Sequence, residues 1–171
     1  MWIAHYLVGL LFYLFLGLSA LVEGRDTLLD HHHHNNTRQS SHTFSLSQIH
    51  LPPPSFRTTL TLPIFIFASS LQHDAHAYLA SLPKYTLPPQ HTHLLFAFCL
   101  CPHYLCEIII YLTLTFMAAP SGHIINHTMA SVALFVLVNL GVSAHSSGKW
   151  YVSVFGKEKV AKRAYLVPLV W

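Results

Sequence analysis

The sequence is poor in charged residues. Only 9% of its 171 residues are Asp, Glu, Lys or Arg, whereas soluble domains carry about 25%. Apolar residues make up 53% of the chain. Few charges together with many apolar residues are typical of a membrane protein and argue against a soluble globular domain.

Signatures of several common chemistries are also missing. There is no G-x-G-x-x-G fingerprint or other glycine-rich phosphate loop, so nothing indicates a Rossmann domain. No motif pairs a nucleophile with a base. The chain has three cysteines, and all lie in one apolar run. Because their spacing fits neither a zinc site nor a disulfide framework, we interpret them as packing residues and predict no metal site.

Apolar runs along the chain predict membrane helices. Residues 2–22 carry no charge and are numerous enough to cross a hydrocarbon core of about 30 Å. A signal peptide would need a basic residue ahead of its apolar core, and no Lys or Arg precedes Arg25. Backbone groups in lipid must be satisfied within each segment. The fold prediction is therefore all-α, an integral membrane helical bundle of roughly four spans, at 2–22, 58–80, 94–118 and 127–146.

A low-complexity stretch separates the first span from the others. It holds four consecutive histidines, a Ser/Thr-rich segment and three consecutive prolines, a composition that cannot bury a core. Four exposed histidines can bind metal ions, but a tract of this kind is nonspecific. N-glycosylation patterns begin at Asn35 and Asn126. The predicted organisation is a transmembrane helix at 1–24, a low-complexity loop at 25–57 and a membrane domain at 58–171.

The C-terminal tail is basic. Glu158 is its one acid, among five cations at Lys149, Lys157, Lys159, Lys162 and Arg163. Since the tail has no recognisable nucleic-acid-binding module and follows predicted spans, we expect no nucleic-acid partner. The positive-inside rule places the tail in the cytosol.

One carboxylate interrupts the longest apolar run. Glu107 is the sole formal charge between residues 94 and 119. In a helix, His103, Glu107 and Tyr111 share one face. A carboxylate within a membrane span is costly unless it is paired or faces a cavity, which makes Glu107 a candidate functional residue. The alternative is a buried structural residue satisfied by its own His103.

The stretch from Pro102 to Tyr111, Pro-His-Tyr-Leu-x-Glu-Ile-Ile-Ile-Tyr, resembles a signature of the steroid 5-alpha-reductase family. About 45 residues later, Lys149-Trp150-Tyr151 and the segment 162–168 resemble the terminal pattern of the same family. The similarity is greatest to the polyprenol (polyprenal) reductase branch, and to its fungal members. His103 fits that branch, because steroid reductases have asparagine there.

The resemblance implies reduction, with NADPH, of the α-isoprene double bond of polyprenol or polyprenal. That reaction serves dolichol synthesis for protein N-glycosylation. It implies a long-chain isoprenoid lipid as substrate and a multi-pass protein of the endoplasmic reticulum membrane. Two alternatives stay open: a steroid or enoyl-lipid reductase, and a non-catalytic membrane remnant.

The resemblance also implies which residues bind NADPH. Carried over by position, they are Gln72, His76, His103, Tyr104, Glu107, Tyr151 and Arg163. The chain departs from the family pattern at three places. Ala75 replaces a cysteine of the motif Gln-x-x-Cys-His, Pro83 and Lys84 stand where an arginine is expected, and Gly148 replaces a histidine. Lys84 can substitute for that arginine only as a point charge, and His145 is displaced from the position of the missing histidine.

The family's catalytic glutamate and tyrosine belong to an N-terminal half that the resemblance does not extend to. We therefore assign no catalytic residue. The expectation is a member of the family truncated at its N-terminus, with the activity of the chain alone left open.

Overall fold

The structure is a computed structural model that describes residues 7, 9–19, 21–22, 55–83, 86–88, 93–120, 122–160 and 163–167. The chain divides into two compact units, Met1–Pro52 and Pro53–Trp171. The first contains helix α1 (Gly9–Ser19), whose leucines and Phe15 are largely exposed. The described part of the second contains five helices: α2 (Phe56–Ser81), α3 (Leu94–Phe98), α4 (Pro102–Met117), α5 (His127–Phe155) and α6 (Lys157–Val160). The prediction of an all-helical fold is confirmed for the described residues.

Helix α2 begins at a side-chain cap. The hydroxyl of Ser55 accepts a hydrogen bond from the backbone N–H of Thr58 at 3.2 Å, which satisfies one of the unpaired donors of the first turn. The helix continues through Pro63 without interruption to Ser81. It covers the predicted span 58–80 in one continuous helix.

Helix α4 packs between α2 and α5. The buried residues of α2 are Thr61, Ala68 and Ala75. They recur every seven residues, so a narrow stripe of small side chains faces the neighbouring helix and lets the two backbones approach closely. Ala75 is fully buried. The position at which the resembling family carries a cysteine is therefore a packing position in this chain.

The predicted span 94–118 is not one helix. It is divided into α3 and α4 by the linker 99–101, in which Cys99 is extended and forms an isolated parallel bridge with Ala164. Pro102 occupies the first turn of α4. A proline disfavours helical geometry at the residue before it, and Cys101, with φ −123° and ψ 60°, is not helical, so α4 begins at Pro102.

Asn126 starts α5. Its side-chain oxygen accepts from the N–H of Met129 at 2.9 Å, and its Nδ2 donates to the carbonyl of Ala118 at 3.1 Å. The residue is only 6% exposed. The helix ends at Gly156, where φ is 85°, a left-handed conformation that favours glycine.

Among the described residues, α5 alone is both long and apolar enough to cross a membrane; α1 and α4 are apolar but shorter. The 16 residues of α4 span only about 24 Å at 1.5 Å per residue. A membrane bundle is consistent with this arrangement, and the count of four spans stays a prediction. The histidine run 31–34 and Asn35 lie outside the described residues.

Candidate functional site

A hydrogen bond between two helices anchors the site. Nε2 of Gln72 on α2 donates to Oε2 of Glu107 on α4 at 3.0 Å. Both side chains are partly buried. The alternative that Glu107 is satisfied by its own His103 is wrong for this structure, since the partner that it finds is Gln72 on the neighbouring helix.

Three aromatic rings also belong to the site: His76 on α2, and His103 and Tyr104 on α4. The ring centroids of His76 and His103 lie 4.9 Å apart, and those of His103 and Tyr104 lie 4.2 Å apart. His103 is 9% exposed, and its Nδ1 is buried without a hydrogen-bond partner among the described residues. A buried polar atom without a partner costs about 1–3 kcal/mol. His103 thus has a buried polar atom whose hydrogen-bonding capacity the described residues leave unused.

Helix α5 contributes further residues to the site. The side chain of Ser147 lies near those of Tyr104 and Cys101 and interacts with both. One turn further on, the phenol of Tyr151 interacts electrostatically with Cys101, Arg163 and Tyr104. Ser147 had no sequence signal beyond its distance of four residues from Tyr151, which places both on one face of α5.

Arg163 reaches the site from the tail. Its Nη1 donates to the carbonyl of Pro88 at 2.7 Å and to that of Phe96 at 3.3 Å. The residue is 6% exposed, and its Nε is buried without a partner among the described residues. Burial lowers the pKa of the guanidinium, while Tyr151 and Tyr78 oppose that shift. Because arginine stays protonated in proteins, the site contains a buried cation.

The tail lies along the linker between α3 and α4. Its backbone exchanges three hydrogen bonds with that linker and the last residue of α3: Ala164 N to Phe98 O at 3.2 Å, Leu100 N to Ala164 O at 2.9 Å and Cys101 N to Tyr165 O at 3.2 Å. The buried N–H groups of Leu100 and Cys101 are thereby satisfied. This pairing explains how Arg163, far along the chain, comes to lie beside α3.

The structure thus brings all seven sequence-predicted residues into one connected cluster. Gln72 donates to Glu107, and the ring of His103 contacts those of His76 and Tyr104. Electrostatic interactions link His76 with Glu107, and Tyr151 with Tyr104 and Arg163. Lys84 lies outside the described residues. His145 is next to the tail, with its ring centroid 5.9 Å from that of Tyr165.

Three cysteines surround the start of α4. Cys99, Cys101 and Cys106 are free thiols, and all are buried. Their burial agrees with their interpretation as packing residues. Within the described part of the chain, no group of three or more His, Cys, Asp or Glu side chains is placed to hold a metal ion.

Comparison with known proteins decides the family. The profile of the family described as 3-oxo-5-alpha-steroid 4-dehydrogenase matches residues 53–171. The chain belongs to this family. The matched region contains every residue of the cluster.

A relative supports the branch that the sequence predicts. The chain is 37% identical over 107 residues to a protein named polyprenal reductase from Saccharomyces cerevisiae. The match covers 63% of this chain and 38% of that protein, so the chain spans well under half the length of this relative. No solved structure matches the chain significantly.

Proposed function

We propose that this chain carries the NADPH-binding part of a polyprenal reductase, which reduces the α-isoprene double bond of polyprenol or polyprenal in dolichol synthesis. The observation that carries the proposal is the Gln72–Glu107 pair inside a cluster of rings and one buried cation. The family match supports a reductase, and the yeast relative supports an isoprenoid substrate.

The residues present fit a polar, anionic cofactor. Two buried nitrogens, Nδ1 of His103 and Nε of Arg163, have no partner among the described residues. Both belong to the same cluster, and one of them is part of a positive charge. A buried nitrogen without a hydrogen-bond partner costs free energy, unless a ligand forms a hydrogen bond with it.

Each residue of the cluster has a distinct role in this proposal. The Glu107 carboxylate accepts an N–H from an amide group of the cofactor, while Gln72 fixes one of its oxygens. The Arg163 guanidinium binds a phosphate through its unused N–H groups. His76, His103, Tyr104 and Tyr151 line the space between them. NADPH, when bound, supplies the hydride.

The acid that polarises the substrate carbonyl is not assigned to this chain. Stabilisation of the developing enolate is the largest contribution that such an enzyme makes, typically about 10²–10³ in rate per hydrogen-bond donor. In the resembling family the groups that make it lie in the N-terminal half. The contribution of those groups is therefore tested in a chimera with the longer yeast relative.

The membrane location belongs to the same proposal. The 29 residues of α5 extend about 43 Å at 1.5 Å per residue, more than the hydrocarbon core of about 30 Å. The last turns of α5 then emerge from the membrane with Lys149, Trp150 and Tyr151. Such a mixture of cations and aromatic rings suits the cytosolic headgroup region of the endoplasmic reticulum.

A chimera tests the substrate. The 107 residues of the yeast protein that align with this chain are replaced by those of this chain, and the chimera is expressed in yeast cells that lack polyprenal reductase. We expect dolichol synthesis to be restored by the chimera and not by the chimera carrying Glu107→Ala. A chimera present in membranes at the level of the yeast protein, yet inactive on polyprenal, would contradict the proposal. Activity on a conjugated 3-oxo steroid instead would favour a steroid reductase.

A further inference from the structure

Tyr165 of the tail lies directly against the backbone of Gly148 in the middle of α5. A Cβ atom placed on Gly148 would meet three atoms of the Tyr165 ring at 2.6, 2.7 and 2.8 Å. Real Cβ atoms do not approach other heavy atoms that closely. The ring therefore occupies space that any side chain at residue 148 would need.

The glycine is not required by its own backbone. Residue 148 lies in regular helix, where glycine is less favourable than alanine by roughly 0.5–1 kcal/mol. Its backbone has no positive φ, in contrast to Gly156. The close approach of Tyr165 is thus the structural feature that demands glycine at this position.

The same contact lies close in sequence to two residues of the cluster. Arg163 lies two residues before Tyr165, and the backbone between them pairs with the linker 99–101. Tyr151 lies one turn after Gly148 on the same helix and interacts with Arg163. A ring that moved off Gly148 would take Arg163 away from both Phe96 and Tyr151.

We propose that Gly148 and Tyr165 are positioning residues for the cofactor: their contact holds the tail against α5 and so presents Arg163 to a phosphate of NADPH. This inference rests on the proposed function for its ligand. The contact also accounts for glycine at residue 148 in this chain, since the ring of Tyr165 leaves no room there for a side chain.

Substitutions on both sides of the contact test the inference in the full chain, purified in detergent. Gly148→Ala adds the clashing Cβ, and Tyr165→Ala removes the ring without adding anything. Gly17→Ala is the matched control, because a Cβ on that helical glycine meets no atom within 4 Å. Tyr165→Phe retains the ring and removes only the hydroxyl.

Two readouts separate positioning from general destabilisation. The first is equilibrium binding of NADPH, which we expect to weaken about tenfold in Gly148→Ala and Tyr165→Ala, as for the loss of one charge-assisted contact. The second is hydrogen exchange at the amides of Leu100 and Cys101, which pair with the tail. We expect faster exchange there and unchanged exchange in the middle of α4. Gly17→Ala and Tyr165→Phe should match the parent protein in both.

The outcomes distinguish this inference from the proposed function. If the parent protein binds no NADPH, the proposed function fails, and amide exchange still decides whether the contact holds the tail. If the parent binds NADPH, and Gly148→Ala and Tyr165→Ala bind it equally well with protected amides, the inference is overturned. Should Gly148→Ala fail to fold, Tyr165→Ala decides alone.

Discussion

Gln72 and Glu107 join two helices through one hydrogen bond of 3.0 Å between an amide nitrogen and a carboxylate oxygen. The residues are 35 positions apart in the chain and lie on α2 and α4. Because Gln72 is a neutral donor, it orients the carboxylate without neutralising its charge. The carboxylate thus stays able to accept a second N–H from a ligand.

The first prediction concerns Glu107. Glu107→Gln removes the charge but keeps the shape, so we expect the protein to stay folded and NADPH affinity to fall by about tenfold or more. Binding is measured on detergent-solubilised protein. Glu158→Gln, at an exposed position of α6, serves as the control and should bind normally. Unchanged affinity in Glu107→Gln would remove Glu107 from the cofactor site.

The second prediction concerns Arg163. Its Nη1 holds two carbonyls while Nε stays without a partner among the described residues. Lysine keeps the charge but lacks the planar group that can serve several acceptors at once, so Arg163→Lys should weaken NADPH binding about tenfold. Titration with NADPH measures the effect, and Lys157→Met controls for the basic character of the tail. If Arg163→Lys binds NADPH as well as the parent, charge alone suffices and the guanidinium has no specific role.

Arg57 gives a prediction about stability alone. Its Nη1 donates to the carbonyl of Ala119 and its Nη2 to that of His123, each at 2.8 Å, so one side chain holds the loop between α4 and α5. Arg57→Met should lower the free energy of unfolding by about 1–2 kcal/mol, because two carbonyls lose a charged donor and one of these bonds is exposed to solvent.

Thermal unfolding in detergent checks the Arg57 prediction. NADPH affinity should be unchanged below the unfolding transition, because Arg57 lies outside the cluster. A variant with normal thermal stability would show that the two bonds contribute nothing measurable.

Asn126 matches a glycosylation pattern, but its side chain caps α5. Both its oxygen and its nitrogen are engaged, and the residue is buried. We therefore expect no glycan at Asn126. We also expect Asn126→Ala to lower the free energy of unfolding by about 1 kcal/mol, as for other N-caps. Mass spectrometry of the peptide from protein made in a eukaryotic host tests the first point, and thermal unfolding tests the second. A glycan on Asn126 would mean that the cap is open in the cell.

Local patterns in the sequence predicted the helical content of the described residues. The spacing of His103, Glu107 and Tyr111 predicted a shared helical face, and all three lie on α4. Both predictions succeed because helix periodicity is a local property of the chain. The family resemblance predicted seven cofactor-binding residues, and that role stays a prediction.

What could not be predicted depends on contacts between distant residues. Pro102 was a local signal for the end of a helix, but nothing near it indicated that residues 164 and 165 pair with the linker. The partner of Glu107 was misassigned in one alternative because His103 is closer in sequence than Gln72. Similarly, nothing near Gly148 in the sequence indicated that the ring of Tyr165 would lie against it and leave no room for a side chain.

The pairing of the tail with the linker between α3 and α4 has a consequence for biosynthesis. The amides of Leu100 and Cys101 find their acceptors only in residues 164 and 165, so this junction cannot mature until more than sixty further residues have been made. During that interval the amides of Leu100 and Cys101 lack the backbone acceptors that the folded protein gives them.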